Sequence, residues 1–472
     1  MSDLATVRTV CVPFTGDRAG TAPLTWGQRA IWNAILRTAP NDIYFNIGRL
    51  LPLGERGRVT ELPQLAIALA ALMERHEALR TRLYGIEDGD PGQSLADSGA
   101  LPVTVVEEAD PQQAEATARA LLDELSATRF DYAGEWPLRV GVVCHEGRVT
   151  HAALVLCHLA ADGHAAEQVV RDLRLLVRRG SAGRAPRTTP LDLARDQHGP
   201  AGVRRSERAL AHWEGFYRTM PPTMFPQETA APRTPRFWSG RLVSEALMKA
   251  ADALAGAHRI SGSTVLMTGL AALVAAEGGH TTAAMMPIVA NRASEDRRDL
   301  VAMLSQDAPF LLDTTGAERF TDLLPVAWRA AMAGYRATSY DPVAWEALRE
   351  RIGGERGTPV HPYCCYNDQR FFVRPPGEGP PPDAAELRAA QARTRFGFPA
   401  TEEKLGCRYC VHVTEERGVL AVMLTADTAY LPPPRIRAHL WALEEMVVAS
   451  ACGEAPALSG LPALLESGEA VA

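Results

Sequence analysis

The stretch LVLCHLAADGHAAEQVV, residues 154–170, carries three side chains that can do chemistry: the Cys157 thiol, the His158 imidazole and the Asp162 carboxylate, with Gly163 directly after. A thiol beside an imidazole can be an activated nucleophile, an imidazole alone a general base, and a carboxylate an orienting group. Read as a strand, HAALVLCH places Ala153, Val155 and Cys157 on one face and Leu154, Leu156 and His158 on the other. Thiol and imidazole then point apart, which opposes a Cys–His dyad. Asp162 and Gly163 lead into a helix whose apolar face holds Ala166, Val169, Val170, Leu173 and Leu176. Taken one residue at a time, the same letters describe a buried strand, a core histidine and a helix capped by Asp162. The constellation as a whole has to decide between the two accounts.

Other reactive residue types are few. Asn367, in YCCYNDQR, is a polar residue on a predicted strand that could contact a substrate, although an ordinary hydrogen-bonded Asn is the plainer account. Cys407 and Cys410 in GCRYC have the spacing of half a zinc site without a second pair, while Cys364 and Cys365, adjacent on a strand, face opposite ways; no metal is expected. Eight cysteines at irregular spacing predict reduced thiols and no disulfide framework. Lys249 and Lys404 are the only lysines, and neither sits in a phosphate-cradling context, which argues against Schiff-base or pyridoxal chemistry. The sequence has neither a Ser after paired glycines, as in a carrier domain, nor a GxxxxGK loop.

The elements that position these residues read as α/β. LTWGQRAIWNAIL and LPQLAIALAALMERHEAL have helical spacing, whereas PLRVGVVCHEGRVTHAALVLCHL reads as two strands joined by EGR. In the second half STVLMTGLAALVAAE is a helix before the strand TAAMMPIVANR, and LGCRYCVHV with GVLAVMLTADTAYL is a hairpin before a last helix, RIRAHLWALEEMVVASA. A chain of 472 residues exceeds what one core usually supports. The Gly-, Pro- and Arg-rich stretch near its middle sets the expected division: an N-terminal lobe at residues 1–180, a connection at 181–202 and a C-terminal lobe at 203–472. RPPGEGPPPDAAE, Arg374 to Glu386, reads as a surface insertion. A net charge of -7 argues against a nucleic-acid or anionic-membrane binder, and Val265 to Ala276, the longest apolar stretch, is too short to span a bilayer. With no basic-then-apolar leader at the start, a cytoplasmic protein is expected.

Cys157-His158, three residues, then Asp162-Gly163 resembles the HHxxxDG motif of nonribosomal peptide synthetase condensation domains. LTWGQRAIW from Leu24 looks like that family's first core motif and RHEALRTRLYG from Arg75 like its second. The resemblance implies two chloramphenicol-acetyltransferase-like lobes arranged as a V, with a central tunnel entered by the phosphopantetheine arms of carrier proteins. It implies that His158 is catalytic and that Asp162 is structural, with Arg292, at the end of its strand, as the candidate partner. Gly163 and Cys157 would support the site, Cys157 standing where the family has its first histidine. The implied function is that of a free-standing condensation enzyme, without a tightly bound cofactor, joining a carrier-bound acyl or aminoacyl thioester to a small-molecule amine or hydroxyl acceptor in natural-product biosynthesis. A coenzyme A-dependent acyltransferase of the same superfamily, and a non-catalytic domain that recruits carrier proteins or tailoring enzymes, are the alternatives.

Overall fold

The computed structural model describes residues 6–53, 60–370, 382–416 and 418–470, so residues 374–381 of the expected proline-rich insertion lie outside the described residues. The chain divides into two compact units, Met1–Arg204 with Ala290–Ser305, and Arg205–Val289 with Gln306–Ala472.

In chain order the first unit contains β1 (Thr6–Thr15), β2 (Gly20–Pro23), α1 (Trp26–Thr38), β3 (Ile47–Pro52), α2 (Leu62–Arg75), β4 (Thr81–Tyr84), β5 (Gly92–Leu95), β6 (Ser98–Glu107), α3 (Ala114–Ser126), β7 (Leu138–His145), β8 (Arg148–Leu156), α4 (Gly163–Arg179) and α5 (Pro190–His198). Its main sheet has the order β1-β6-β7-β8-β3, parallel only between β6 and β7; β2, β5 and β4 form a small second sheet. β8 is covered on both faces, which is why it reads as an unbroken apolar run. Leu154 and Leu156 pack with Leu69 and Leu72 of α2 and Val169 of α4, whereas Val155 and Cys157 pack with Ile31, Trp32 and Ile35 of α1.

RHEALR works as a brace. Arg75 Nε donates to Asp172 Oδ2 at 2.8 Å, His76 Nε2 lies 3.0 Å from the same oxygen, and Gln168 Nε2 donates to Asp172 Oδ1 at 3.1 Å, all against a fully buried carboxylate on α4. Arg80, also buried, donates to the carbonyl oxygens of Arg18 and Ala96. The bonds from Arg75 and His76 to Asp172 hold α4 against the end of α2.

The stretch 181–202 is more than a connection. Thr189 caps α5 through the Asp192 N–H, Leu191 and Ala194 pack with Ala22 and Leu95, and Gln197 Oε1 accepts from Trp26 N at 2.9 Å. The first unit also recruits Ala290–Ser305 from far along the chain, which includes a short helix at Glu295–Arg298. That segment runs so close to α1 that a Cβ at Gly27 would lie 2.1 Å from the Met303 carbonyl oxygen. A backbone carbonyl cannot swing aside like a side-chain tip. Gly27→Ala is therefore expected to lower stability by about 3 kcal/mol, the upper end for overpacking, measurable as a lower denaturant midpoint.

The helix α6 (Pro200–Thr219) runs across the division. Then follow β9 (Phe237–Ser244), α7 (Glu245–His258), α8 (Gly262–Gly278), β10 (Thr282–Val289), α9 (Glu295–Arg298), β11 (Gln306–Asp307), β12 (Phe310–Asp313), α10 (Phe320–Tyr335), α11 (Pro342–Arg356), β13 (Cys364–Asp368), α12 (Ala384–Gln391), β14 (Arg395–Glu402), β15 (Tyr409–Glu416), β16 (Val419–Asp427), α13 (Pro433–Ala451) and α14 (Leu461–Ala470). The second unit's sheet runs β11-β10-β13-β15-β16-β9-β14, with β12 also on β10. One face packs Tyr366, Tyr409, Val411 and Leu424 onto α8 and α13; the other carries Ser239, Arg241, Asn367, Cys410, His412 and Met423. α8 is apolar on all sides because it is buried on all sides. No single helix among the described residues is long and apolar enough to cross a membrane; the one pair that passes together by composition, α7 and α8, is bent by 105°.

Three expectations need correction here. α13 is not the last helix, since α14 packs back on it. TAAMMPIVANR stops being a strand at Val289, because Asn291 takes a positive φ of 56° that turns the chain out of the sheet. Not all thiols are reduced: Cys365 and Cys410, directly paired in the register of the parallel strands β13 and β15, form a disulfide across a Cα separation of 4.6 Å.

Candidate active site

β8 ends at Leu156, one residue short of the Cys-His pair. Cys157 keeps the strand's direction by donating its N–H to the Pro137 carbonyl at 3.0 Å, and its own carbonyl accepts from Ala160 N at 2.9 Å, starting the turn that delivers His158 to Asp162. The alternation therefore carries through to Cys157. The residue is 3% exposed, set among Leu24, Trp32, Phe130 and Leu159, and burial pushes the thiol pKa up to about 12. Such a thiol is neither ionised nor accessible. Cys157→Ser is expected to keep most of the activity, and intact mass after incubation with an acyl thioester should show no acyl group on Cys157; an acyl-Cys157 species would overturn this reading.

His158 has the opposite character. Its ring is half-buried and lies edge-on to Phe45, with ring centroids 6.2 Å apart. Nδ1 is the buried nitrogen and has no hydrogen-bond partner among the described residues. Burial holds the imidazole below the ordinary histidine value, against the opposing pull of the Asp162 charge. It is neutral at pH 7, the form that accepts a proton.

Asp162 is the most heavily bonded side chain in the stretch. One oxygen caps α4 by accepting from Ala165 N at 2.9 Å. The other accepts from Arg292 Nη1 at 2.8 Å, Leu304 N at 3.1 Å, Ser305 N at 3.2 Å and Ser305 Oγ at 3.1 Å. Burial raises its pKa, but the Arg292 charge and these bonds outweigh it, so the carboxylate stays ionised. With both oxygens engaged, Oδ1 by the cap and Oδ2 by four donors, Asp162 is an anchor and no proton carrier. Arg292 completes the anchor by donating to the carbonyls of Ala290, Leu300 and Ala302, closing residues 290–305 into a compact segment. Gly163 is the first residue of α4.

Asn367 belongs to the other unit, on β13, and faces His412 of β15 in the strand register. His412 escaped the sequence analysis: its Nδ1 is buried without a partner among the described residues, and burial pushes its pKa down to about 4. CVHV alternates as a strand should, so the signal was present but ambiguous. The other omission is the Leu304–Ser305 backbone, whose role in holding Asp162 has no sequence signature. Cys407, read only with Cys410, gains Cys365 as a third neighbour: the three sulfurs lie within 4.8 Å of one another.

A family model described as "Condensation domain" matches residues 20–351. This chain belongs to the condensation-domain family. Among curated relatives, the probable non-canonical nonribosomal peptide synthetase CymA of Salinispora arenicola is 28% identical over 364 residues, 74% of this chain and 4% of the relative. This condensation domain thus spans a small part of that relative's length. Among solved structures, the condensation domain of the Monacolin K polyketide synthase MokA aligns with a TM-score of 0.71 at 14% identity, covering 93% of this chain and 99% of that one. A mutant starter condensation domain of rhizomide synthetase RzmA, solved with C8-CoA, aligns at 0.69 and 16% identity, covering 93% and 96%. The fold is that of the chloramphenicol-acetyltransferase-like condensation domains, and the family setting is nonribosomal peptide and related natural-product synthesis.

Proposed function

We propose that this condensation domain joins an acyl or aminoacyl thioester, borne on the phosphopantetheine arm of a carrier protein, to an amine or hydroxyl acceptor, and that His158 is the catalytic residue. The observation that carries the reading is a neutral, partly accessible imidazole one turn from a buried, ion-paired Asp162–Arg292 anchor. As an amine adds to the thioester carbonyl its nitrogen gains positive charge. The imidazole accepts that proton, the C–N bond forms, the C–S bond breaks, and the proton passes to the departing thiolate. Nothing in this sequence of steps needs a tightly bound cofactor. Asn367 is the proposed polar contact to substrate. The 472 residues contain no carrier motif, so the donor is brought by a carrier outside this stretch, and the cytoplasm is the proposed setting.

Arg205, Arg208, His212 and Arg336 line one hollow between α6 and the end of α10, a basic surface that suits an acidic carrier on a chain whose net charge is -7. A carrier adds binding energy remote from the thioester, which a bare pantetheine lacks. One acyl group offered on a carrier protein, on pantetheine and on coenzyme A is therefore expected to give the highest kcat/KM from the carrier, with a marked decline in added salt. Coenzyme A is the second reading, favoured by the C8-CoA in the RzmA neighbour; preference for it with little salt dependence would establish that reading instead.

A further inference from the structure

Half of the chain's eight cysteines, Cys364, Cys365, Cys407 and Cys410, sit at the entrances of β13 and β15, beyond the stretch that the family model matches. Cys365 and Cys410 share a disulfide that ties the two strands together. Cys407 carries a thiol outside that bond, and its sulfur lies within 4.8 Å of both disulfide sulfurs. The backbone holds it there. Arg408 N and Tyr409 N both donate to the Tyr363 carbonyl, at 2.9 and 3.0 Å, which docks the Cys407 turn beside Cys364-Cys365. The Arg408 side chain donates to the Phe225 carbonyl at 2.6 Å, with its guanidinium over the rings of Tyr363 and Tyr430, and fixes the turn from the other side.

We propose that Cys365, Cys407 and Cys410 form a thiol–disulfide exchange site in which the bond migrates to Cys407. The Cys407 thiolate attacks one sulfur of the Cys365–Cys410 bond, a new S–S bond forms to that sulfur, and the other leaves as a thiolate that takes up the proton Cys407 gave up. One disulfide and one thiol are present before and after, so the step needs no oxidant or reductant. Cys407 is suited to attack because it is only partly buried, and Cys407-Arg-Tyr-Cys410 has the CxxC spacing of dithiols that exchange readily. Cys364 is not a competitor. It is fully buried, its Sγ–H is directed to the Pro362 carbonyl at 3.3 Å, and burial first, then the neighbouring Cys407, holds its acidity far below that of an ordinary thiol. The consequence is mechanical: transfer of the bond to the Cys407–Cys410 pair unties β13, the strand of Asn367, from β15.

The test is disulfide mapping by peptide mass spectrometry, with thiols trapped by N-ethylmaleimide in acid. The intact chain, held at mildly alkaline pH and then trapped, is expected to yield Cys365–Cys410 together with a fraction bonded through Cys407, and Cys407→Ser to yield Cys365–Cys410 alone. In a glutathione buffer poised to keep the wild-type disulfide oxidised, Cys410→Ser should give Cys365–Cys407 and Cys365→Ser should give Cys407–Cys410. If the intact chain never bonds Cys407, and both single variants keep their remaining thiols alkylatable while circular dichroism shows them folded, the proposal is overturned. Any bond to Cys364 would overturn it equally. Acyl transfer does not enter the readout, so failure here leaves the role of His158 standing.

Discussion

His158→Ala is expected to reduce product formation from a carrier-bound thioester and an amine by about 10²–10⁴-fold, the range that a positioned general base contributes. The fall should appear in kcat, since the proton moves only as the bond forms. Stability should barely change. Nδ1 of the ring has no hydrogen-bond partner among the described residues, the Phe45 ring lies 6.2 Å away between centroids, and part of the imidazole is solvent-accessible. A variant that melts at the wild-type temperature and turns over at the wild-type rate would remove His158 from the chemistry.

Asp162→Ala should behave in the reverse order, with stability failing first. The side chains of Asp162 and Arg292 are 2% and 5% exposed, so the variant leaves a guanidinium buried without its counter-charge, deprives Leu304 N, Ser305 N and Ser305 Oγ of their acceptor, and uncaps α4. Removing one partner of a buried pair costs about 3–5 kcal/mol, read as a large fall in the denaturant midpoint. The pH dependence has a definite sign. The Asp162 carboxylate is held below the unfolded aspartate value despite its burial, so its contribution is fully present above that value and is lost as the pH falls through the depressed one. Wild type should therefore lose stability on acidification faster than Asp162→Asn. Equal acid sensitivity of the two would indicate that residues 290–305 are held by something other than this carboxylate.

Much of this site was legible because local rules and tertiary structure agree there. Alternation along HAALVLCH set Val155 and Cys157 apart from Leu154 and Leu156, and the two clusters on either side of β8 separate these residues in the same way. Asp162 before an amphipathic segment marks an N-cap, and it caps α4. Arg292, 130 residues away, was reached through family resemblance alone, since no local pattern announces such a contact. Long-range geometry produced the errors. The sequence cannot reveal that Ala290–Ser305 leaves the second unit for the first, because its apolar residues pack against elements remote in the chain. The Cys365–Cys410 bond depends on the β13–β15 register, which cysteine spacing does not encode. α5 was hidden in a stretch whose Gly, Pro and Arg content resembles a loop, although Thr189-Pro190 is a helix start.

The central claim, that a neutral His158 takes the acceptor's proton, is tested most directly by the ratio of wild-type to His158→Ala kcat/KM across pH. The acceptor's own ionisation enters both rates and cancels, leaving the ionisation of His158. The ratio should be large and constant at neutral pH and fall on acidification through a midpoint below 6.5, the ordinary histidine value from which burial depresses this group. A ratio near one at every pH, or a large ratio that does not change as the solution is acidified, would contradict it.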